Sequence, residues 1–456
     1  MKSHLIQKVL FVFTGLLCLP GTDSSARNPV LQAYIQEGLQ SNQGLKQKQL
    51  DYASHLAALK ESKGMFFPDL SLNARYTVAD GGRIIEFPVG DLMNPVYTTL
   101  NALTGSEMFP QVENQSFPFY RPTEHETKVS LVQPIFNTDI IHNYRIHKKY
   151  TEIARIDVDL YKRELIREIT KAYYGYQKSL NLVSLADTSI YLVRENLRVS
   201  QRLFENDKVT IDAVYRSEAE LSRVEVQRAQ AYNMLEASRA YFNFLLNRSL
   251  DAPIKLMEEI PVPLDISLEE ASMLAMQKRV ELAQIEQYRL LNQRVEALHR
   301  SKNIPGLFGV VDYGFQGEEY SFTGEDDFVL ASLVMRWNIF QGATNHQKVR
   351  QVRIEGEKLD EIFSETQQQI RLEVINHYYA LQAAFESVES ARKQTQSARR
   401  AYELINRKYS EGQSSLLELI DARTSLTSAA ANAIIARGEY FSRQADFEYA
   451  VGTIEL

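Results

Sequence analysis

The chain has 456 residues and a formal net charge of −7, enough length for two or three ordinary domains or one elongated one. Hydrophobic residues make up 44% and charged residues 24%, a balance that excludes both a disordered tail and a bundle of membrane helices. The mildly acidic charge also argues against nucleic-acid binding, which needs a basic face to meet phosphates.

The N-terminus reads as an export signal. Lys2 and Lys8 supply positive charge, Val9 to Leu19 is a short apolar run, and Ser24-Ser25-Ala26 offers small residues for cleavage before Arg27. The run is too short to cross about 30 Å of hydrocarbon as a helix. The only cysteine, Cys18, lies within it. Leu17 precedes Cys18 where a lipidation site would carry a small residue, so simple cleavage is expected. The mature chain then has no thiol chemistry, and loss of Lys2, Lys8 and Asp23 takes the charge from −7 to −8. No later segment has 18 consecutive apolar residues, so any membrane crossing must use β-strands.

A first helix is predicted from about Pro29 to Met65, ended ahead of Pro68 because proline disfavours helix in the residue before it. Leu70 to Val78 then alternates strictly between apolar and polar side chains, as a strand with one dry face does. Ala79 to Glu124, rich in Pro, Gly, Phe and Tyr, reads as a long loop with a functional role. A second strand, Thr127 to Ile135, puts Val129, Leu131 and Gln133 on one face and Lys128, Ser130 and Val132 on the other. From about Thr138 to Asn206 there is no proline and one glycine, Gly175. This is a helix on the order of 100 Å long, followed by a turn and another helix. Asp251 to Asp265, with Pro253, Pro261 and Pro263, is a linker.

The pattern then recurs: a helix from about Leu268 to Lys302 ahead of Pro305, a strand from Leu307 to Gln316, and a strand from Phe328 to Trp337. A second long helix runs from about Ala343 to Glu411, without proline and with one glycine, Gly356. The recurrence is a true internal duplication. At an offset of 205, Ile169, Tyr173, Tyr176, Leu180 and Val183 match Val374, Tyr378, Leu381, Phe385 and Val388. At an offset of 237, Leu45 matches Leu282 and Pro68 matches Pro305. The first half therefore carries about 32 extra residues, which fall within 79–124. The organisation expected is a leader at 1–26, a first repeat at 27–250, a linker at 251–266 and a second repeat at 267–456.

The matched helical positions step by four and three, the heptad spacing that packs helices side by side. The second strand alternates less cleanly and the fourth is apolar on both faces until Arg336; the set suits either a half-buried soluble sheet or a membrane barrel, and the export signal and long helices favour the barrel. About eight strands is the smallest membrane barrel, so four must come together with copies; three copies give twelve. Enzyme signatures are wanting. His142 and His147 are five apart, no His-Glu-x-x-His pattern occurs, and there is neither a Gly-Lys-Ser/Thr phosphate loop nor a serine elbow. No catalytic residue, cofactor or metal site is expected. Tyr173, Tyr174, Tyr378 and Tyr379 recur with the repeat, which marks them as packing residues.

The duplication, the proline after each first helix, and Trp337-Asn338-Ile339-Phe340-Gln341-Gly342 opening the second long helix resemble the TolC-type outer-membrane efflux protein family. The first-repeat counterpart is Gln133-Pro134-Ile135-Phe136. Arg279-Val280-Glu281-Leu282 resembles the family's Arg-Pro-Asp-Leu stretch, with valine in place of proline. Tyr409 to Ala422 resembles its helix-turn-helix tip. The resemblance implies a mostly α fold of duplicated long hairpins forming an α-barrel, with four membrane strands per chain closed as a trimeric twelve-stranded barrel. It places the protein in the bacterial outer membrane with a periplasmic helical extension. Its partners would be outer-membrane lipid, two further copies, a periplasmic adaptor and an inner-membrane transporter, with no nucleic acid.

The resemblance also implies a carboxylate constriction at Glu418 and Asp421, which lie three apart and so share a helix face; three-fold symmetry turns each into a ring that favours cations. Asp212 and Arg216 occupy the matching turn of the first repeat. Gly412, Gln413, Ser414, Asp207 and Lys208 are the expected adaptor contacts. The function expected is passive conduction of small molecules from periplasm to exterior. The alternatives are a periplasmic coiled-coil scaffold without a channel, and the exit duct of a type I protein secretion system.

Overall fold

The computed structural model describes residues 28–454; the expected leader, its cleavage point and Cys18 lie outside them. Two compact units are present, one built from residues up to 50, 155–284 and 363 onward, the other from 51–154 and 285–362. Each unit therefore draws on both repeats.

In the first unit, α1 (Pro29–Ser41) starts at Asn28, whose side chain accepts from the backbone N–H groups of Val30 and Leu31. The single helix expected to Met65 is broken at Asn42, and α2 (Gln43–Gly64) follows. Its partner in the second repeat is broken too, into α6 (Leu268–Lys278) and α7 (Val280–Ser301), at Arg279. Asn42 and Arg279 are 237 apart, the offset of the duplication, and both are extended, at ψ 127° and 119°. A buried polar side chain occupies each break. Asn42 donates to the Leu245 carbonyl at 2.9 Å and accepts from Leu45 N–H. Arg279 bonds Glu281, Glu373 at 2.9 Å and the Ala450 carbonyl.

The long helices α4 (Thr138–Glu205) and α8 (Thr344–Ser410) are continuous, and α5 (Ile211–Leu245) and α9 (Leu416–Val451) complete the two hairpins. Most of the heptad seam is covered, with Ile169, Tyr173 and Val374 fully buried, but Leu180 is exposed and Tyr378, Phe385 and Val388 are half-buried. Tyr34 meets Phe242 edge-on at 5.1 Å, and Tyr174 stacks on Phe441 at 4.3 Å.

The linker is a strap across these tyrosines. Tyr34 and Tyr173 hydroxyls accept from the N–H groups of Lys255 and Met257, while Tyr174 donates to Glu259 and Tyr440 to the Val262 carbonyl. Burial, then the bond to Glu259, pushes the Tyr174 phenol well above its ordinary range. Among the described residues no strap covers the second repeat's equivalents: Tyr378 is half-buried and Tyr379 is 56% exposed.

The second unit holds a four-stranded antiparallel sheet in the order β1 (Asp69–Val78), β4 (Thr123–Phe136), β5 (Gly306–Gly317), β6 (Asp327–Arg336). All four expected strands are present. Pro134 sits where the β4–β5 register shifts, the kind of irregularity that tolerates a proline without an N–H to donate.

Residues 79–124 are not the structureless loop the composition suggested. The β1–β4 hairpin bends at Gly81 and Gly82, both with positive φ, and continues as a ribbon of β2 (Ile84–Phe87) and β3 (Gln115–Pro118). Between these lies a sixteen-residue helix, α3 (Val89–Thr104). Its Pro95 concealed a regular three-and-four spacing of apolar residues. Among the described residues no helix is long and apolar enough to cross a membrane.

Candidate functional site: the sheet faces and the hairpin tip

Register gives the sheet two distinct faces. On one, Leu70, Leu131, Val311 and Ala331 stand in a row, and Leu72, Val129, Tyr313 and Val329 form the next. These are large apolar groups in the open: Leu72 and Val329 are each 71% exposed. The other face is polar over much of β1, β4 and β5, while β6 adds Phe328 and Leu330 to it. Across it Arg75 pairs with Glu126 at 3.3 Å, and Lys128 bridges Glu126 at 3.0 Å and Asp312 at 3.2 Å. Gly314 makes room for this network, since a Cβ there would sit 2.5 Å from that of Lys128. A sheet that is dry outside and charged inside separates lipid from water. The edge strands β1 and β6 have no further ladder partner among the described residues, and bare edges demand pairing.

The tip, in the first unit, is two copies of one turn. After α4, Asp207 takes a left-handed conformation (φ 56°) and Lys208 N–H bonds the Leu203 carbonyl; after α8, Gly412 does the same (φ 74°) and Gln413 N–H bonds Lys408. This is the helix-ending motif that glycine favours, reproduced 205 residues apart. Under both turns lies one shared core of Ala213, Tyr402, Tyr409, Leu416 and Leu419. Within it Ser200 bonds Ser217 at 3.1 Å and the Tyr409 hydroxyl at 2.9 Å.

All nine residues singled out from sequence lie at this tip. Glu418 is engaged locally. It closes a capping box on α9, accepting from Ser415 N–H at 2.9 Å while Ser415 accepts from the Glu418 N–H, and Ser414 also donates to it. The Ser414 hydroxyl and then the Ser415 amide hold its carboxyl below the usual carboxylate range. Asp421, one turn on, is exposed. Asp212 accepts from the Thr210 hydroxyl and pairs with Arg216 at 3.4 Å along one helix; Thr210, matching Ser415, makes no side-chain cap. Gln413, Lys208 and Gly412 are exposed, and Ser414 is half-buried.

Sequence reasoning missed the charge inside the tip. Arg423 is 1% exposed and bonds Glu220, which also binds Arg223, tying α9 to α5. Burial lowers its pKa. The signal was present: Leu416, Leu419, Arg423 and Leu426 step as a heptad seam does, with an arginine where an apolar residue belongs. Among the described residues no His, Cys, Asp or Glu group could hold a metal ion.

The chain thus carries a four-stranded antiparallel sheet together with two long helical hairpins. Residues 271–453 match the family described as outer membrane efflux protein. Over 98% of its length the chain is 19% identical to outer membrane protein TolC of Salmonella enteritidis, covering 87% of that protein. The outer-membrane channel OprN shares the fold with a TM-score of 0.74 at 14% identity, over 93% of this chain and 90% of that one. The CmeC outer membrane channel of Campylobacter jejuni does so with a TM-score of 0.73 at 16% identity, over 92% and 85%. The match to that family thus falls within the second repeat, and over nearly its whole length the chain is similar to these channels.

Proposed function

We propose that this protein is the outer-membrane channel of a tripartite export system, passing small molecules from periplasm to exterior in company with an adaptor and an inner-membrane transporter. The observation that carries this reading is the sheet: four strands, two bare edges, an apolar face in the open and a charged face opposite. Pairing β6 of one copy with β1 of the next satisfies both edges at once, and three copies supply twelve strands. Such closure sets the foot of β1, where Phe66 and Phe67 are exposed, beside the neighbour's Trp337, Ile339 and Phe340 at the foot of β6. The uncovered Tyr379 face of α8 likewise awaits a neighbour.

Conduction is passive on this reading, and the energy comes from the transporter. The polar face of the sheet carries Arg75, Glu126, Lys128 and Asp312 and becomes the water-filled side. At the tip, Asp421 is the carboxylate free to form a ring on three-fold assembly, Glu418 being spent on its cap. Exposed Lys208, Gly412 and Gln413 are the surface offered to an adaptor, with Asp207 and Ser414 shaping the turns. In-cell crosslinking of affinity-tagged protein, purified in detergent and read by mass spectrometry, tests this. Recovery of a trimer with an adaptor and a transporter supports it. A detergent-independent monomer without membrane partners overturns it in favour of a scaffold.

A further inference from the structure

The insertion at 79–124 has no counterpart in the second repeat, whose β5–β6 connection spans only 318–326. Its helix α3 is unusual in having its polar side sealed from within. Asn94 exchanges two hydrogen bonds with the backbone of Val112, at 3.0 and 2.8 Å. Asn101 does the same with Phe109, at 2.8 and 3.0 Å, and Asn114 bonds Asp91 through both backbone and side chain. The returning segment is thus zipped along one side of the helix. The other side is left bare: Val89, Leu92, Val96 and Leu103 form an exposed stripe, Leu103 at 79%.

Two features say what covers that stripe. Its steps of three, four and seven are those of a helix that packs on another helix. Its charge is wrong for a lipid surface, where interfacial helices carry Lys and Arg on the polar face: between Arg83 and Arg121 there is no cation, and there are four acids, Glu86, Asp91, Glu107 and Glu113. The hairpin that carries α3 begins with β1, the edge strand, and extends from the end of the sheet opposite the helix junctions. Closing three sheets edge to edge therefore brings three such hairpins to one mouth of the barrel.

We propose that the occupant of each stripe is α3 of a second copy, and that the three helices pack together as a plug over the outer mouth. The proposal rests on the trimeric channel reading above. Leu92→Cys and Leu103→Cys variants test it, because Cys18 is the only native cysteine. Oxidation of the detergent-purified protein is expected to give a disulfide-linked dimer and one unlinked chain, since three thiols form only one pair. Deleting 84–118 is expected to raise single-channel conductance severalfold. A parent protein that is trimeric and conducting, whose variant thiols label fully with maleimide yet never crosslink, overturns the plug and leaves the channel. So does a deletion that leaves conductance unchanged. A parent that is not trimeric overturns both.

Discussion

At the scale of single residues the tip is held by two devices of opposite character. Arg423 is buried, its partner Glu220 is partly buried, and the pair joins the two repeats. Removing one partner strands a charge, which typically costs 3–5 kcal/mol, whereas replacing both with apolar groups is often neutral. Glu220→Leu should therefore loosen the segment 411–424 strongly in hydrogen exchange, and Glu220→Leu with Arg423→Met should restore most of the protection; equal exchange in both would show that the pair does not hold the tip. The Glu418 cap works from the surface and answers to pH. Its folded pKa lies below the ordinary value, so its contribution is complete above the ordinary carboxylate range and is lost as pH falls through the depressed folded value. A spin label at Gln413→Cys should grow more mobile on acidification from pH 7 to about pH 3. Ser415→Ala, which should cost about 1 kcal/mol, should be mobile at both pH values. A label whose mobility ignores pH in the parent contradicts the capping role.

At the scale of elements, the long helices were legible because nearly seventy residues without proline leave little else, and the strands because period-two alternation survives in β1 and β5. The breaks at Asn42 and Arg279 were not predicted, since neither residue is Gly or Pro; each side chain bonds a distant carbonyl, of Leu245 and Ala450, and Asn42 also caps the following turn at Leu45 N–H. Helix α3 was hidden by the Pro and Gly around it, although Leu92, Val96 and Leu103 keep a helical period. Ser415-x-x-Glu418 is a capping signature outweighed by its place in the tip motif. The buried Arg423 stood in plain sight at a seam position. The geometry of the second break gives a prediction. Arg279 is extended and Val280 is the first residue of α7, a position that accepts proline because its N–H has no helical partner. Val280→Pro should fold normally and gain about 0.4–1 kcal/mol through a stiffer unfolded chain, seen as a raised melting temperature. A fall of several degrees would mean that Val280 N–H or its side chain does essential work there.

At the scale of the whole molecule, the two halves of the duplication have diverged in ways that suit assembly. The first repeat buries its tyrosines under the linker strap; the second leaves Tyr379 exposed for a neighbour. The first repeat carries the helical insertion; the second keeps a short connection. The Ser415 capping box has only an uncapped Thr210 as its first-repeat counterpart. On the proposed reading, one chain with four strands, two bare edges and an exposed apolar face is completed by copies of itself, which turn each of these features into a wall of the duct. The most direct test is to purify the protein in detergent, determine the mass of the particle by light scattering corrected for detergent, and insert that same species into a planar lipid bilayer. The account predicts a particle of three chains that yields discrete conductance steps. A one-chain particle, or a three-chain particle that never conducts under any applied voltage, would contradict it.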